Sequence, residues 1–106
     1  MRRASKVDTT HAAIREALRR RYGAAAVIDT HALGDDFPDL ILGVAGRTVL
    51  IECKTPTRKD GGVKPSKTSW GQRTFAATWR GGPVVQVTSA EQALEAVELA
   101  LTAGVR

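Results

Sequence analysis

The stretch that decides the fold is DLILGVAGRTVLIECK, residues 39–54 of a chain of 106 residues. Two runs rich in aliphatic and β-branched residues, 39–44 and 47–54, stand on either side of the dipeptide Ala45-Gly46. Strand-forming runs separated by two residues that include a glycine are typical of a β-hairpin with a tight turn. The sequence therefore predicts an antiparallel pair of strands at the centre of the fold.

The two-residue turn also sets the register of this hairpin. If Val44 faces Arg47, each step outward keeps the residues in opposed pairs, and Asp39 lies opposite Glu52. Opposed side chains have Cβ atoms roughly 4.5 to 5.5 Å apart, and like charges so placed are destabilising unless something compensates them. Because side chains alternate between the faces of a strand, Lys54 joins the face of Glu52. A divalent cation is the natural compensation for the two carboxylates.

Two carboxylates and an amine at one end of a sheet have the parts for attack of water on a phosphodiester. Hard oxygen ligands suit Mg²⁺ or Mn²⁺, and either ion lowers the pKa of a water bound to it. Lys54 would orient that water or neutralise charge on the phosphate. The alternative is that Lys54 and Glu52 form an ordinary ion pair at the end of a strand.

The segments around the hairpin predict an α/β fold in the order α-β-β-β-α-β-α. Helix starts are indicated by capping residues, and strands by short apolar runs between Gly and Pro signals. A mixed central sheet follows, with the hairpin antiparallel and the last strand joined through a crossover helix. The expected elements are a helix over 10–22, a strand over 24–30, the two hairpin strands, a helix over 69–79, a strand over 83–87 and a helix over 89–101.

The charge of the chain is unevenly distributed. Lys and Arg number 16 and Asp and Glu number 11, which gives a formal charge of +5 and a pI of about 10.0. Two basic segments, 1–22 and 54–80, bracket an acidic middle, 23–53. This pattern suits either a rim that binds a polyanionic backbone around a carboxylate centre or two solvated faces.

Length and composition predict one domain over 1–106, with a single modest core. Residues 1–8 are expected to form a flexible basic tail, and 55–67, with two prolines and two glycines, a mobile basic loop. A membrane helix or a signal peptide needs a longer apolar run than the chain offers, so a cytoplasmic protein is expected. One cysteine, Cys53, excludes an internal disulfide, and any metal should be held mainly by carboxylates.

The hairpin motif resembles a known nuclease signature. Pro38-Asp39, an apolar strand, a glycine turn and then Val49-Leu50-Ile51-Glu52-Cys53-Lys54-Thr55-Pro56 look like the PD-(D/E)XK motif, and in particular the VRR-NUC family with its small stand-alone members. The segment 69–79 resembles the helix that follows the basic loop in that family, and 82–87 together with the capped final helix resembles its C-terminal βα unit. The similarity covers about 10–101 and implies a restriction-endonuclease-like core with a mixed central sheet flanked by helices.

The resemblance also implies roles for individual residues. Asp39 and Glu52 would ligate Mg²⁺ or Mn²⁺, the backbone carbonyl of Cys53 would be a further ligand, and Lys54 would be the catalytic lysine. Gln72 would stand at the recurrent glutamine of the family and contact the metal-site water or the scissile phosphate. The alternative for Gln72 is the third position of a capping box, where its amide bonds the backbone of the N-cap residue.

One feature of the family is missing. Its members tend to carry a glutamate early in the first helix, but the register defined by Ile14 puts His11 at that place, and Glu16 is the only glutamate of the helix. Either Glu16 reaches in from a shifted helix, or His11 substitutes, or the site works with fewer ligands. The alternatives are an exposed pair of Glu16 with Arg20 and a solvated His11.

The family implies a divalent-metal-dependent DNA endonuclease that hydrolyses phosphodiester bonds in branched or structured DNA such as Holliday junctions. Two symmetric cuts in a four-way junction imply a homodimer. The alternative is a catalytically weak nucleic-acid-binding module of the same fold. Candidates for phosphate contacts that position the DNA are Arg15, Arg19, Arg58, Lys59, Lys64 and Lys67.

Several further residues have ordinary explanations. Asp35 and Asp36 are expected to be loop acids, with a supporting role beside Asp39 as the alternative. His31 is expected to be an exposed residue at a strand end, or else a DNA contact. Trp70 and Trp79 are expected to pack in the core or at an interface, with base stacking by Trp79 as the alternative.

Overall fold

The computed structural model describes residues 4–34, 36–56 and 69–103. Within them the fold is mixed α/β, with three α-helices and four strands in the predicted order α-β-β-β-α-β-α. The elements are α1 (Ala4–Tyr22), β1 (Val27–Asp29), β2 (Leu40–Val44), β3 (Arg47–Cys53), α2 (Trp70–Thr78), β4 (Val84–Val87) and α3 (Ala90–Thr102), with short 3₁₀ turns at Ala24–Ala26 and His31–Leu33.

The hairpin register is the predicted one. Leu40 pairs with Ile51, and the ladder continues to Val44 opposite Arg47. Both turn residues, Ala45-Gly46, have positive φ, 52° and 79°, as a two-residue turn that matches the strand twist requires. The register prediction for the hairpin is therefore confirmed over all five paired positions.

The four strands form one mixed sheet in the order β1-β2-β3-β4. β1 and β2 are antiparallel, β2 and β3 are antiparallel, and β3 and β4 are parallel. A parallel neighbour needs a crossover connection, which α2 supplies between β3 and β4. Helix α2 lies on the side of the sheet that carries Glu52, which its Gln72 contacts.

The core lies on the other side of the sheet, under α1 and α3. Alternation along β3 directs Val49 and Ile51 to this side and leaves Leu50 and Glu52 for the side of α2. The remaining buried hydrophobic residues of the core are Ile14, Leu18, Val27, Leu40, Leu42, Val87, Ala93 and Val97.

Two predicted boundaries are wrong. Helix α1 begins at Ala4 and not at position 10, because positions 4–10 contain neither Gly nor Pro. Residues 4–8, which were expected to belong to a flexible tail, are therefore helical. Ala24–Ala26 forms a 3₁₀ turn, and the strand begins only at Val27, where β-branched residues begin. Of the expected loop 55–67, only the first two residues lie within the described part of the chain.

In the described residues, no helix has the length and apolar character needed to span a membrane.

Candidate active site at the open end of the hairpin

The candidate site lies at the end of the hairpin opposite the turn. Asp39 directly precedes β2, and its N–H donates at 2.9 Å to the carbonyl of Ile51, the residue that pairs with Leu40. The paired ladder thus ends at Leu40, and the predicted direct pairing of Asp39 with Glu52 is not part of it. Glu52 stands near the end of β3, and Lys54 follows the strand. The backbone of Lys54 is held in turn by a 2.9 Å bond from its N–H to the carbonyl of Val87. The sheet therefore supplies three of the predicted site residues from two adjacent strand ends.

Helix α2 supplies the fourth residue. Nε2 of Gln72 donates a 2.7 Å hydrogen bond to Oε2 of Glu52, and Nζ of Lys54 donates a 2.8 Å bond to Oε1 of Gln72. The ion pair between Lys54 and Glu52 is also present, at 3.7 Å. The ion pair at the strand end therefore belongs to the predicted cluster. Within it, the amide of Gln72 bridges the amine of Lys54 and the carboxylate of Glu52.

The capping-box interpretation of Gln72 is confirmed, whereas its contact with a metal-site water or a phosphate stays a prediction. Ser69 is the N-cap of α2, and its Oγ accepts a 3.0 Å bond from the N–H of Gln72. The N–H of Ser69 donates to Oε1 of Gln72 at 3.2 Å, which completes the capping box. Since the cap uses only Oε1, Nε2 is left to face Glu52. The helix cap therefore orients the site amide.

Glu52 is the most perturbed acid of the site. Its residue surface is only 8% exposed. Burial first, and then the negative charge of Asp39, raise the pKa of Glu52 to about 7, although Lys54 opposes the change. Without a metal, Glu52 therefore resists ionisation near neutral pH.

Asp39 is held at both of its carboxylate oxygens. Its Oδ2 accepts a 2.8 Å bond from the N–H of Cys53, and its Oδ1 lies 3.2 Å from Nδ1 of His31. Burial raises the pKa of the Cys53 thiol, which packs against the core and remains protonated. The contact of Cys53 with Asp39 is made by its N–H; the metal-ligand role of its carbonyl stays a prediction.

A second polar cluster extends from Asp39 across the edge of the sheet. His11 is only 4% exposed, its ring centroid lies 5.1 Å from that of His31, and its Nε2 lies 3.4 Å from Oδ1 of Asp29. Asp29 also accepts from the N–H of His31 at 3.0 Å and from Nη1 of Arg15 at 2.9 Å. Burial alone would raise the pKa of Asp29, but these donors hold it below its usual value. A solvated His11 is therefore wrong, and His31 is the residue that reaches Asp39.

Glu16 does not complete the site. It is exposed, and its Oε2 lies 3.5 Å from Nε of Arg15. Glu16 stands two positions after Ile14, which is fully buried in the core, and residues two apart on a helix point in different directions. The inward-reaching Glu16 is thus wrong, and its observed partner is Arg15 and not Arg20.

The predicted phosphate-binding cations are only partly described. Arg15 is tied to Asp29, and Nη2 of Arg19 donates to the carbonyl of Val27 at 3.4 Å. Both side chains are partly buried, so they serve first to hold α1 against β1. Arg58, Lys59, Lys64 and Lys67 lie outside the described residues.

Asp36 contacts the start of α2. This agrees with the alternative that gave it a supporting role beside the site. Its φ is 64°, a left-handed conformation that Asp tolerates better than most residues. Its Oδ1 accepts a 3.2 Å bond from Oγ of Ser69, and its carboxylate lies so close to Gly71 that a Cβ there would overlap Oδ2. Its charge also contributes to the raised pKa of Glu52. The sequence feature that could have indicated this close contact is Gly71, directly after the first residue of α2. Asp35, its predicted companion, lies outside the described residues.

The donor set fits a hard divalent cation that keeps much of its water. Across the described ranges, no group of three His, Cys, Asp or Glu side chains is arranged to hold a metal ion. Mg²⁺, however, is commonly bound by one or two carboxylates together with several waters. The carboxylates of half-buried Asp39 and buried Glu52 repel each other and present that donor set, and a cation would neutralise them.

Comparison with known proteins identifies no relative. No family model, curated protein or solved structure matches the chain.

Proposed function

We propose that this protein is a divalent-metal-dependent DNA endonuclease. The observation that carries the proposal is the contact group of Glu52, Lys54 and Gln72, with Asp39 held beside it at the same end of the hairpin. An acid pair, an amine and an amide donor that converge on one point suit a phosphodiester, which brings negative charge that must be held and neutralised. The excess of basic residues, +5 in formal charge, supports a polyanionic substrate.

Each side chain has a distinct role in this proposal. Mg²⁺ or Mn²⁺, when bound, would supply a water of lowered pKa and polarise a phosphate oxygen. Asp39 and Glu52 are the groups that hold the ion. Lys54 places its ammonium where it can neutralise charge on the phosphate, and Gln72 keeps Glu52 and Lys54 in position through its two amide atoms.

We further propose that the chain is a restriction-endonuclease-like domain of the VRR-NUC type that acts on branched DNA as a homodimer. The α-β-β-β-α-β-α order, with a hairpin joined through a crossover helix to a parallel strand, supports the fold. One site per chain and two cuts per junction support the dimer. Sedimentation of the protein with and without a four-way junction measures the stoichiometry, and two chains per junction are expected.

One observation favours a second candidate, a nucleic-acid-binding module of the same fold with weak catalysis. The first helix brings His11 towards the site through His31, while its only glutamate, Glu16, pairs with Arg15. A site without a third acid would hold metal weakly. Such a module would bind branched DNA and leave it intact.

Cleavage of end-labelled DNA separates the two candidates. Four-way junction, flap, single-stranded and linear duplex DNA are each incubated with the protein in Mg²⁺, Mn²⁺ or EDTA. Glu52→Gln, which keeps an acceptor for Gln72, is expected to lower metal-dependent cleavage roughly a hundredfold or more. Glu16→Gln is the matched control, because this glutamate is exposed and lies on α1, and it should cleave like the wild type.

Intact DNA under every metal condition, together with a persistent gel shift, would overturn the nuclease in favour of the binding module. Equal cleavage by the wild type and Glu52→Gln would place the activity elsewhere, or in a contaminant.

A further inference from the structure

The most exposed aromatic residue of α2 lies in the same helical turn as Gln72. Trp70, the first residue of α2, has 73% of its surface exposed. Trp79, at the other end of the helix, is 41% exposed and stacks on Phe75 with ring centroids 5.3 Å apart. Both tryptophans are thus exposed, and the prediction of core packing is wrong for both, although Trp79 stacks on Phe75. Trp70 therefore presents a large apolar ring to solvent.

Trp70 is held in a defined place relative to the site. Its neighbour Ser69 is bonded to Asp36, and two residues further on Gln72 is bonded to Glu52 and Lys54. The first turn of α2 is therefore anchored on both sides of the indole. An aromatic side chain on such a rigid turn can offer its face to a ligand with little loss of conformational entropy.

The surroundings of Trp70 suit a nucleic acid. The sequence WGQRTFAAT of α2 contains no acidic residue, and the nearby carboxylate of Asp36 is bonded to Ser69. Arg73 follows Trp70 by three positions, which places the two on one face of the helix, and both are exposed. An aromatic face next to a cation, beside an amine such as Lys54, complements a base attached to a charged backbone.

We propose that Trp70 stacks on an unpaired nucleobase of the strand whose phosphate meets Lys54 and Gln72. This inference rests on the proposed nuclease, because that activity places the phosphate at the site. In an uninterrupted duplex each base is covered by its neighbours, so only a base at a branch, a flap or a single strand offers a free face. Trp70 is thus a determinant of substrate class that favours unpaired over fully paired DNA.

Tryptophan fluorescence tests stacking without any cleavage. Trp79→Phe leaves Trp70 as the only tryptophan, because the chain has two. In EDTA this variant is titrated with a dT oligomer, with a duplex of equal length and with heparin, a polyanion that has no bases. We expect strong quenching by the dT oligomer and little by the other two. The matched variant Trp70→Phe, which reports on Trp79 alone, should show little quenching by any of them.

Binding constants give a second readout. Trp70→Ala is expected to weaken binding of the dT oligomer roughly 5- to 150-fold, the range found for loss of one stacked base. Trp70→Phe should restore most of the affinity, since a phenyl ring still stacks. Affinity for the duplex should change little in either variant, and the salt dependence of binding should stay the same because no phosphate contact is removed.

Three results would overturn the proposal. They are absence of quenching by the dT oligomer, equal quenching by heparin or duplex, and a change of Trp70 fluorescence with protein concentration alone, which would assign this surface to a second copy of the chain. These outcomes are separable from failure of the proposed nuclease. Cleavage without quenching removes only the stacking role, and quenching without cleavage removes only the nuclease.

Discussion

The side chain of Gln72 joins a helix cap to the carboxylate of Glu52. Its Oε1 accepts from the N–H of Ser69 at 3.2 Å, while its Nε2 donates to Oε2 of Glu52 at 2.7 Å. The cap, formed by residues three apart in the sequence, therefore orients the amide that contacts Glu52, which is twenty residues away. Movement of the first turn of α2 would move the amide away from both Glu52 and Lys54, so the position of α2 and the geometry of the site are coupled.

Two substitutions at position 72 separate these roles. Gln72→Ala removes the reciprocal half of the cap and a bond to a buried carboxylate, and should lower the free energy of unfolding by about 1 to 3 kcal/mol. Gln72→Glu keeps a capping-box residue but turns a donor towards Glu52 into a carboxylate. It should therefore be destabilised in EDTA and recover in Mg²⁺, as urea denaturation would show. A loss below about 0.5 kcal/mol for Gln72→Ala would mean that the bridge contributes nothing.

Stability in EDTA should depend on pH through Glu52. Its folded-state pKa of about 7 lies above its usual value of 4.5, so the folded protein binds the proton more tightly than the unfolded chain. This contribution to stability is present below about pH 4.5 and is lost as the pH rises through about 7. The neutral Glu52→Gln should therefore gain on the wild type by about 2 kcal/mol between about pH 5 and pH 8, after allowance for solvent screening. A constant difference between the two urea midpoints across that range would contradict the raised pKa.

Contact between Asp36 and Gly71 should make residue 71 intolerant of a side chain. Gly71→Ala places a Cβ on the Asp36 carboxylate and should cost about 1 to 3 kcal/mol of stability. Gly43→Ala is the matched control, because the nearest atom to a Cβ there is the carbonyl oxygen of Arg47 at 4.0 Å. Thermal unfolding of the two variants should differ clearly. Equal melting temperatures would show that the loop at Asp36 moves aside without cost.

Asp36→Asn and Asp36→Ala test what this residue does. Asn keeps an acceptor for Ser69 and tolerates the left-handed backbone, so it should fold and bind metal like the wild type. Ala loses the bond to Ser69 and should destabilise the protein by about 1 kcal/mol. Should Asp36→Asn lose Mn²⁺ binding in calorimetry while keeping its stability, Asp36 would be a metal ligand and not a support for α2.

Loss of the His31 side chain should weaken metal binding more than folding. His31→Ala frees one oxygen of Asp39 and is expected to reduce Mn²⁺ affinity roughly 10- to 100-fold, as is usual for residues that orient a ligand. Its effect on the melting temperature should be small, because the side chain is 44% exposed. Calorimetric titration with Mn²⁺ measures both the affinity and the stoichiometry. Unchanged affinity in His31→Ala beside lost binding in Asp39→Asn would show that Asp39 needs no support from His31.

Local patterns were sufficient for the hairpin and for the ends of the helices that follow it. The register followed from the two-residue turn at Ala45-Gly46, since turn length alone decides which residues oppose each other. The capping box at Ser69 was equally readable, because cap and partner are three residues apart. The early start of α1 was missed, since Thr10 has the chemistry of an N-cap but is not used as one.

Long-range contacts were beyond the reach of local patterns. The bond between His31 and Asp39 depends on how the segment between β1 and β2 folds back on itself. The contact of Asp36 with Gly71 depends on how the same segment lies against α2. Burial of His11 depends on the packing of α1 against β1, and the exposure of Trp70 on how α2 lies on the sheet. Side-chain type alone favoured the opposite outcome in both cases.

The sequence by itself determined the α/β order of elements, the hairpin register and the group of Asp39, Glu52 and Lys54, because strand alternation and turn length are local properties of the chain. Only the tertiary structure decided that one amide, Gln72, serves both cap and site, and that Glu52 is buried enough for its pKa to rise to about 7. The physical reason is that burial and electrostatic coupling depend on what packs around a group, which is a property of distant segments brought together.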